Sequence, residues 1–142
     1  MNQIKANYAL AVAEQMSLVG VFLGAIAVTI LIAFIVFKPA DKLVNWIVGI
    51  SALGGCSLLI SVVASLRLII ALHPEFPSPE TTSPSEISLL WKSMVASYGV
   101  GVLCLAASIG LSGWLRSKTT GMATMAFATI AILFFFKTSI FT

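Results

Sequence analysis

Charged residues are scarce in this sequence. They make up 9% of its 142 residues, whereas hydrophobic residues make up 59%. A soluble domain carries about 25% charged residues, and a soluble fold with so few charges could not cover its surface with polar groups. The uncharged runs also reach or exceed the ~20 residues that cross the ~30 Å hydrocarbon core of a bilayer as a helix. The sequence therefore predicts an integral membrane protein.

The sequence also lacks the residue patterns that most membrane-bound chemistry requires. It contains one histidine, His73, and two cysteines, Cys56 and Cys104. It has no histidine pair for haem, no CxxC, no HExxH, no Ser-His-Asp set and no glycine-rich phosphate loop. We therefore expect no catalytic residue, cofactor or metal site, and we predict that the protein is not an enzyme. Because both cysteines lie inside apolar runs, we expect them to pack as small buried residues.

Basic residues give the chain a formal net charge of +3 but form no cluster. The eight Lys and Arg residues are scattered singly, mostly at the ends of apolar runs. Nucleic-acid binding requires a basic face or stripe, which this distribution does not supply. The expected partners are instead the lipid bilayer and other membrane helices, either in a homo-oligomer or in a complex with other subunits.

Four apolar segments separated by polar connections define the predicted architecture. We predict transmembrane helices over residues 16–37, 43–72, 87–115 and 121–136. Ser83, Pro84 and Glu86 have the spacing of a capping box that begins the third helix. The polar, proline-rich loop 74–85 is the one connection of any size. The expected fold is an all-α, antiparallel four-helix membrane bundle that forms a single domain over residues 1–142.

Basic residues also suggest how the chain faces the membrane. With four spans, the first and third connections share one side, and they carry Lys38, Lys42, Arg116 and Lys118. The positive-inside rule places these connections in the cytoplasm. The other side has as many basic residues, although Arg67 and Lys92 lie within helices rather than in loops. We expect a plasma (inner) membrane protein with both termini and loop 74–85 on the non-cytoplasmic side.

Small residues recur at helical spacing in two of the predicted spans. Gly20 and Gly24 form a GxxxG pair, and Ser57, Ser61 and Ser65 repeat every four residues. Small residues at this spacing allow helices to approach closely, and serines can hydrogen-bond across the contact. The patterns fit packing within one protomer, an interface between protomers, or a polar pore lining.

Three charged residues are predicted to lie near one end of the bundle at comparable depth. Glu14 precedes the first span, Arg67 lies near the end of the second, and Lys92 lies inside the third. Opposite charges here could pair, or a ring of Glu14 residues in an oligomer could select cations at a pore mouth. Alternatively, Arg67 and Lys92 extend their charged ends to the headgroups while Glu14 contacts water.

These features favour a protein that acts through helix–helix assembly. The first hypothesis is a homo-oligomeric channel or pore, with the first helix or the serine face lining a path and Glu14 or Arg67 setting ion preference. The second is a non-catalytic accessory subunit of a larger membrane complex. A third, a small-solute transporter, would need a broken helix or a charge in the middle of the membrane, and Gly54-Gly55 is the one candidate for a break.

Overall fold

Four α-helices make up the described structure. A computed structural model describes residues 3–37, 42–72 and 84–140, and these residues contain no β-strand. The helices are α1 (Gln3–Phe37), α2 (Lys42–Leu72), α3 (Pro84–Trp114) and α4 (Lys118–Ile140). The prediction of an all-α chain with four helices is therefore confirmed.

Three of the helices are long and apolar enough to cross a membrane. The qualifying segments are Asn7–Val36, Lys42–Leu72 and Ser85–Trp114. This result supports the predicted membrane location. The crossing by α4 stays a prediction, and its 23 residues would extend about 34 Å at 1.5 Å per residue.

The helix ends differ from the predicted bounds where local sequence allows a longer helix. Helix α1 starts at Gln3 rather than near residue 16, because residues 3–15 contain no glycine or proline to interrupt it. Helix α4 starts at Lys118 rather than at residue 121. Its first turn is capped by Ser117, whose Oγ accepts a hydrogen bond from the backbone N–H of Thr120 at 3.1 Å.

The start of α3 agrees with the predicted capping box as far as the structure describes it. Pro84 is the first helical residue and Glu86 lies in the first turn, whereas Ser83 and most of loop 74–85 lie outside the described residues. Pro84 and Ser85, which the predicted loop included, belong to the helix. Proline suits this position because its missing N–H would have no intrahelical partner there.

Consecutive helices pack against each other in antiparallel pairs. Ala13 of α1 shares a cluster with Leu68 of α2, whereas Ala27 of α1 lies beside Gly55 of α2. Ser51 near the start of α2 contacts Ser108 near the end of α3. Helix α1 also touches α3, but among the described residues α4 packs against α3 alone. The result is a core of three helices with α4 attached to α3, which is more open than a closed four-helix bundle.

The core of α1, α2 and α3 consists of two apolar clusters at different levels. The first cluster contains Ala13, Ala64, Leu68 and Met94. The second contains Ala27, Leu58 and Leu105. Because most of these side chains are small or medium-sized, the helices can approach closely.

Glycines set the distance between α2 and α3. A methyl group added to Gly101 would lie 2.5 Å from Cγ of Leu58 and 3.2 Å from the carbonyl oxygen of Gly54. A methyl group added to Gly54 would lie 2.9 Å from Cβ of Cys104. Neither position has room for a side chain, so the two helices are held at a separation that only glycine permits.

The two cysteines have different environments. Both are free; Cys104 is half-buried, whereas Cys56 is exposed. The prediction that both are buried packing residues is therefore wrong for Cys56. This residue faces away from the contacts of α2 with its neighbours, and that direction depends on helix rotation, which an apolar run does not fix.

Candidate functional site

The serines of α2 are mainly packing residues in the described protomer. Ser61 and Ser65 have no exposed surface, whereas Ser57 is only half-buried. Ser61 donates a hydrogen bond to the Met94 carbonyl of α3 at 3.1 Å. Ser65 donates to the Ser61 carbonyl of its own helix at 2.7 Å. A pore lining requires contact with water, which Ser61 and Ser65 lack here.

Helix geometry explains why Ser57 differs from the other two. A step of four residues advances an α-helix by about 40° beyond a full turn, so Ser57 and Ser65 differ in direction by about 80°. The serine repeat therefore winds around α2 instead of lining one face. The buried stripe of α2 instead runs through Ser51, Gly54, Leu58, Ser61, Ser65 and Leu68.

A second interhelical serine contact was not predicted. The Ser51 hydroxyl donates to the Ser108 hydroxyl at 3.0 Å, and Ser108 donates onward to the Cys104 carbonyl at 2.9 Å. Both serines are fully buried. Ser108 has a serine four residues on, Ser112, but Ser51 has no serine three or four residues away, so spacing along one helix did not indicate the pair. Within the described residues, no buried side-chain nitrogen or oxygen lacks a hydrogen-bond partner.

The two glycines of the GxxxG pair in α1 lie on different surfaces of the helix. Gly20 is buried against α2, and a methyl group added there would lie 2.9 Å from Cγ2 of Val62. A methyl group added to Gly24 would have no heavy atom of the described residues within 4 Å, so the space beside Gly24 is open. Gly24 lies in a groove between α1 and α2, which we call the α1 groove, lined by Gly20, Val21, Gly24, Ala25, Val28, Thr29, Gly55 and Leu59.

The α1 groove combines a small-residue floor with apolar walls. Val21 and Val28 of α1 are exposed on one side, and Leu59 of α2 is exposed on the other. Gly24 and Gly55 leave the floor low, which would allow the backbone of another helix to approach closely. Gly24 was predicted from its spacing, whereas the contribution of Gly55 and Leu59 was not, because the groove exists only once α1 and α2 are packed together.

The three predicted charges lie at one level and all point outward. Ala13, Leu68 and Met94 share one apolar cluster, and Glu14, Arg67 and Lys92 are next to or near these residues in sequence. All three charged side chains are exposed. Within the described part of the chain, the three residues lie at the same depth along the helices, but their side chains do not converge on a common polar site.

On α1, α2 and α3, charged residues flank uncharged stretches of nearly equal length, which together define a slab. Residues 15–37, 43–66 and 93–115 contain no Asp, Glu, Lys or Arg. Each stretch is helical over nearly its whole length and extends about 35 Å at 1.5 Å per residue. This thickness is close to the ~30 Å hydrocarbon core of a bilayer. Glu14, Arg67 and Lys92 mark one boundary of the slab, and the connections carrying Lys38, Lys42 and Arg116 mark the other.

The described residues hold no group of three or more metal-ligating side chains. His73, the one histidine of the sequence, lies outside the described residues. Among the surfaces of the described helices, the α1 groove combines small residues from two helices with apolar walls.

In comparisons with known proteins, no protein-family model matches the chain, and no curated protein or solved structure is significantly similar to it.

Proposed function

We propose that this chain is a non-catalytic integral membrane protein that functions by helix–helix assembly through the α1 groove. The observation that carries the proposal is the open space at Gly24 between apolar walls from two helices. In a bilayer, lipid tails are as apolar as leucine, so helices associate where small residues allow close van der Waals contact. The α1 groove provides small residues that allow this close contact. The buried Ser61 and Ser65 do not line the groove.

A second copy of the chain is the proposed occupant of the α1 groove. Small residues along one helix make a surface that can contact itself in a symmetric pair. Glu14 precedes Val21 by seven residues and therefore projects from the same side of α1, at the boundary of the slab. Small-residue contacts of this kind cross at about 40°, which separates the two Glu14 side chains and leaves them in contact with water.

A channel is the second candidate function, favoured by this position of Glu14. In a closed ring, the α1 groove of each protomer would instead receive a different face of the next protomer. Several exposed carboxylates would then lie at one mouth of the assembly, where they would attract cations. In this arrangement the path lies between protomers, since Ser61 and Ser65 are buried within each one. The accessory-subunit alternative places a helix of a different chain in the same groove.

Filling the α1 groove should weaken assembly without weakening the fold. We expect Gly24→Leu to reduce self-association about ten-fold, the effect of about 1.4 kcal/mol, because the new side chain occupies the space that a partner helix needs. Ala33→Leu is the matched control, since Ala33 is also exposed on α1 but does not line the groove. Native mass spectrometry of the full chain in nanodiscs would measure the number of chains in each assembly.

Three outcomes decide between the candidates. The proposal is supported if Gly24→Leu becomes monomeric while the wild-type chain and Ala33→Leu remain assembled. A closed ring of wild-type chains would add support for a channel. A monomeric wild-type chain would overturn self-assembly in favour of the accessory-subunit alternative. Equal loss in both variants would show that the contact lies elsewhere on α1.

A further inference from the structure

A second groove lies on the outer face of α2 and differs from the α1 groove in its polarity. Its residues recur at steps of three and four and so share one side of the helix. The groove is shallow and open, with about 490 Å³ of space beside its described lining residues. We call it the α2 groove; it is lined by Lys42, Asn45, Trp46, Gly49, Ile50 and Leu53.

Polarity falls along the α2 groove from the helix end towards the slab. Lys42 and Asn45 are exposed in the first turn of α2. Gly49, Ile50 and Leu53 follow, and Leu53 lies about 16 Å from Lys42 along the axis. Gly49 has no heavy atom of the described residues within 4 Å of an added methyl group. The groove therefore has a cationic, hydrogen-bonding mouth and an apolar floor with space above it.

The net positive charge of the chain is concentrated at this end. The first and third connections, with the adjoining helix ends, contain Lys38, Lys42, Arg116 and Lys118 but only one acid, Asp41. The remaining four basic residues are balanced by four glutamates elsewhere in the chain. The amino terminus of α2 adds a partial positive charge to the mouth of the groove. An anionic ligand therefore complements this end of the molecule.

We propose that the α2 groove binds an anionic phospholipid. The Lys42 ammonium and the Asn45 amide hold the phosphate of the headgroup, and an acyl chain lies along Gly49, Ile50 and Leu53. The exposed indole of Trp46 lies at headgroup depth, where tryptophan is enriched in membrane proteins. A second copy is a poorer occupant of this groove, because the same end of a parallel copy offers Lys42 only one acid, Asp41, among four basic residues.

This inference rests on the proposed membrane location but not on assembly through the α1 groove. The two grooves have no described lining residue in common. A monomeric chain that retained anionic lipid would overturn the assembly proposal and leave this one intact. A chain that assembled normally but showed no preference for anionic lipid would overturn the lipid-binding proposal and leave the assembly proposal intact.

Native mass spectrometry of the detergent-purified full chain tests the proposal by lipid titration. The probes are palmitoyl-oleoyl phosphatidylglycerol and palmitoyl-oleoyl phosphatidylcholine, which have the same acyl chains. We expect the phosphatidylglycerol to bind more tightly, and Lys42→Gln to weaken its binding about five-fold, as expected for about 1 kcal/mol per basic residue at an anionic surface. Lys118→Gln is the control, because Lys118 is exposed at the same end but does not line the groove.

A second variant tests the apolar part of the α2 groove. Gly49→Leu fills the space for the acyl chain without changing any charge, so it should weaken binding of both lipids. Inorganic phosphate at millimolar concentration should not displace the phosphatidylglycerol, because it lacks the acyl chain. Equal affinity for the two lipids, or equal losses in Lys42→Gln and Lys118→Gln, would overturn the proposal. If Gly49→Leu lowers thermal stability, the comparison of the two lysine variants decides alone.

Discussion

Replacing Leu68 by alanine is expected to lower the free energy of unfolding by about 2 kcal/mol. Leu68 has no exposed surface and packs with Ala13, Ala64 and Met94, so it holds α1, α2 and α3 together at one end. The expected loss lies at the low end of the range for buried leucines. In a bilayer the unfolded helices keep their leucines in lipid, so lost packing contributes and transfer to water does not.

Leu66 provides the matched control for this substitution. It lies two residues away on the same helix and is 49% exposed, so Leu66→Ala should change the free energy of unfolding by less than about 0.5 kcal/mol. Reversible unfolding in mixed detergent micelles, followed by circular dichroism, would measure both variants. Similar losses for Leu66→Ala and Leu68→Ala would contradict the packing of α2 described here.

Replacing Gly101 by alanine is expected to destabilise the α2–α3 contact by about 1 to 2 kcal/mol. The added methyl group would lie 2.5 Å from Cγ of Leu58 and 3.2 Å from the Gly54 carbonyl oxygen. Leu58 is itself fully buried, and a backbone oxygen cannot turn aside. The two helices would have to separate, which would also lengthen the Ser61 hydrogen bond to the Met94 carbonyl.

Gly99→Ala is the control for this effect, because it changes the same residue type two positions away on α3. An added methyl group at Gly99 has no heavy atom of the described residues within 4 Å. Alanine is the better helix former, so this variant should be neutral or slightly stabilising. If Gly99→Ala and Gly101→Ala unfolded alike, the close approach of α2 and α3 would be wrong.

The helices were largely predictable because their signals are local. Apolar runs separated by polar connections located all four, and the capping pattern at Pro84 located the start of α3. The early start of α4 was missed, although Ser117 three residues before Thr120 is a recognisable capping signal. The open arrangement, with α4 packed only on α3 among the described residues, depends on tertiary contacts and has no local signal.

The candidate site was less predictable because it depends on how each helix is rotated. Spacing identified Gly20 and Gly24 as a pair, but only the packed structure shows that one is buried and the other is open. Counting residues placed Glu14, Arg67 and Lys92 at one level, since depth follows from position along a helix. Their outward directions follow from rotation, which the charges themselves do not specify.

Cysteine labelling of α3 in intact cells is the measurement that tests the central claim, a membrane crossing, most directly. In a chain with Cys56 and Cys104 replaced by serine, single cysteines would be placed at Thr82, Ser117 and Ile60, before α3, after α3 and in the middle of α2. A membrane-impermeant maleimide should label Thr82→Cys in intact spheroplasts and Ser117→Cys only after permeabilisation. Ile60→Cys, about 10 Å inside the slab from the level of Arg67, should remain unlabelled in both. Labelling of the two flanking positions from the same side, or ready labelling at position 60, would contradict a membrane-spanning α3 and the slab defined by the charges.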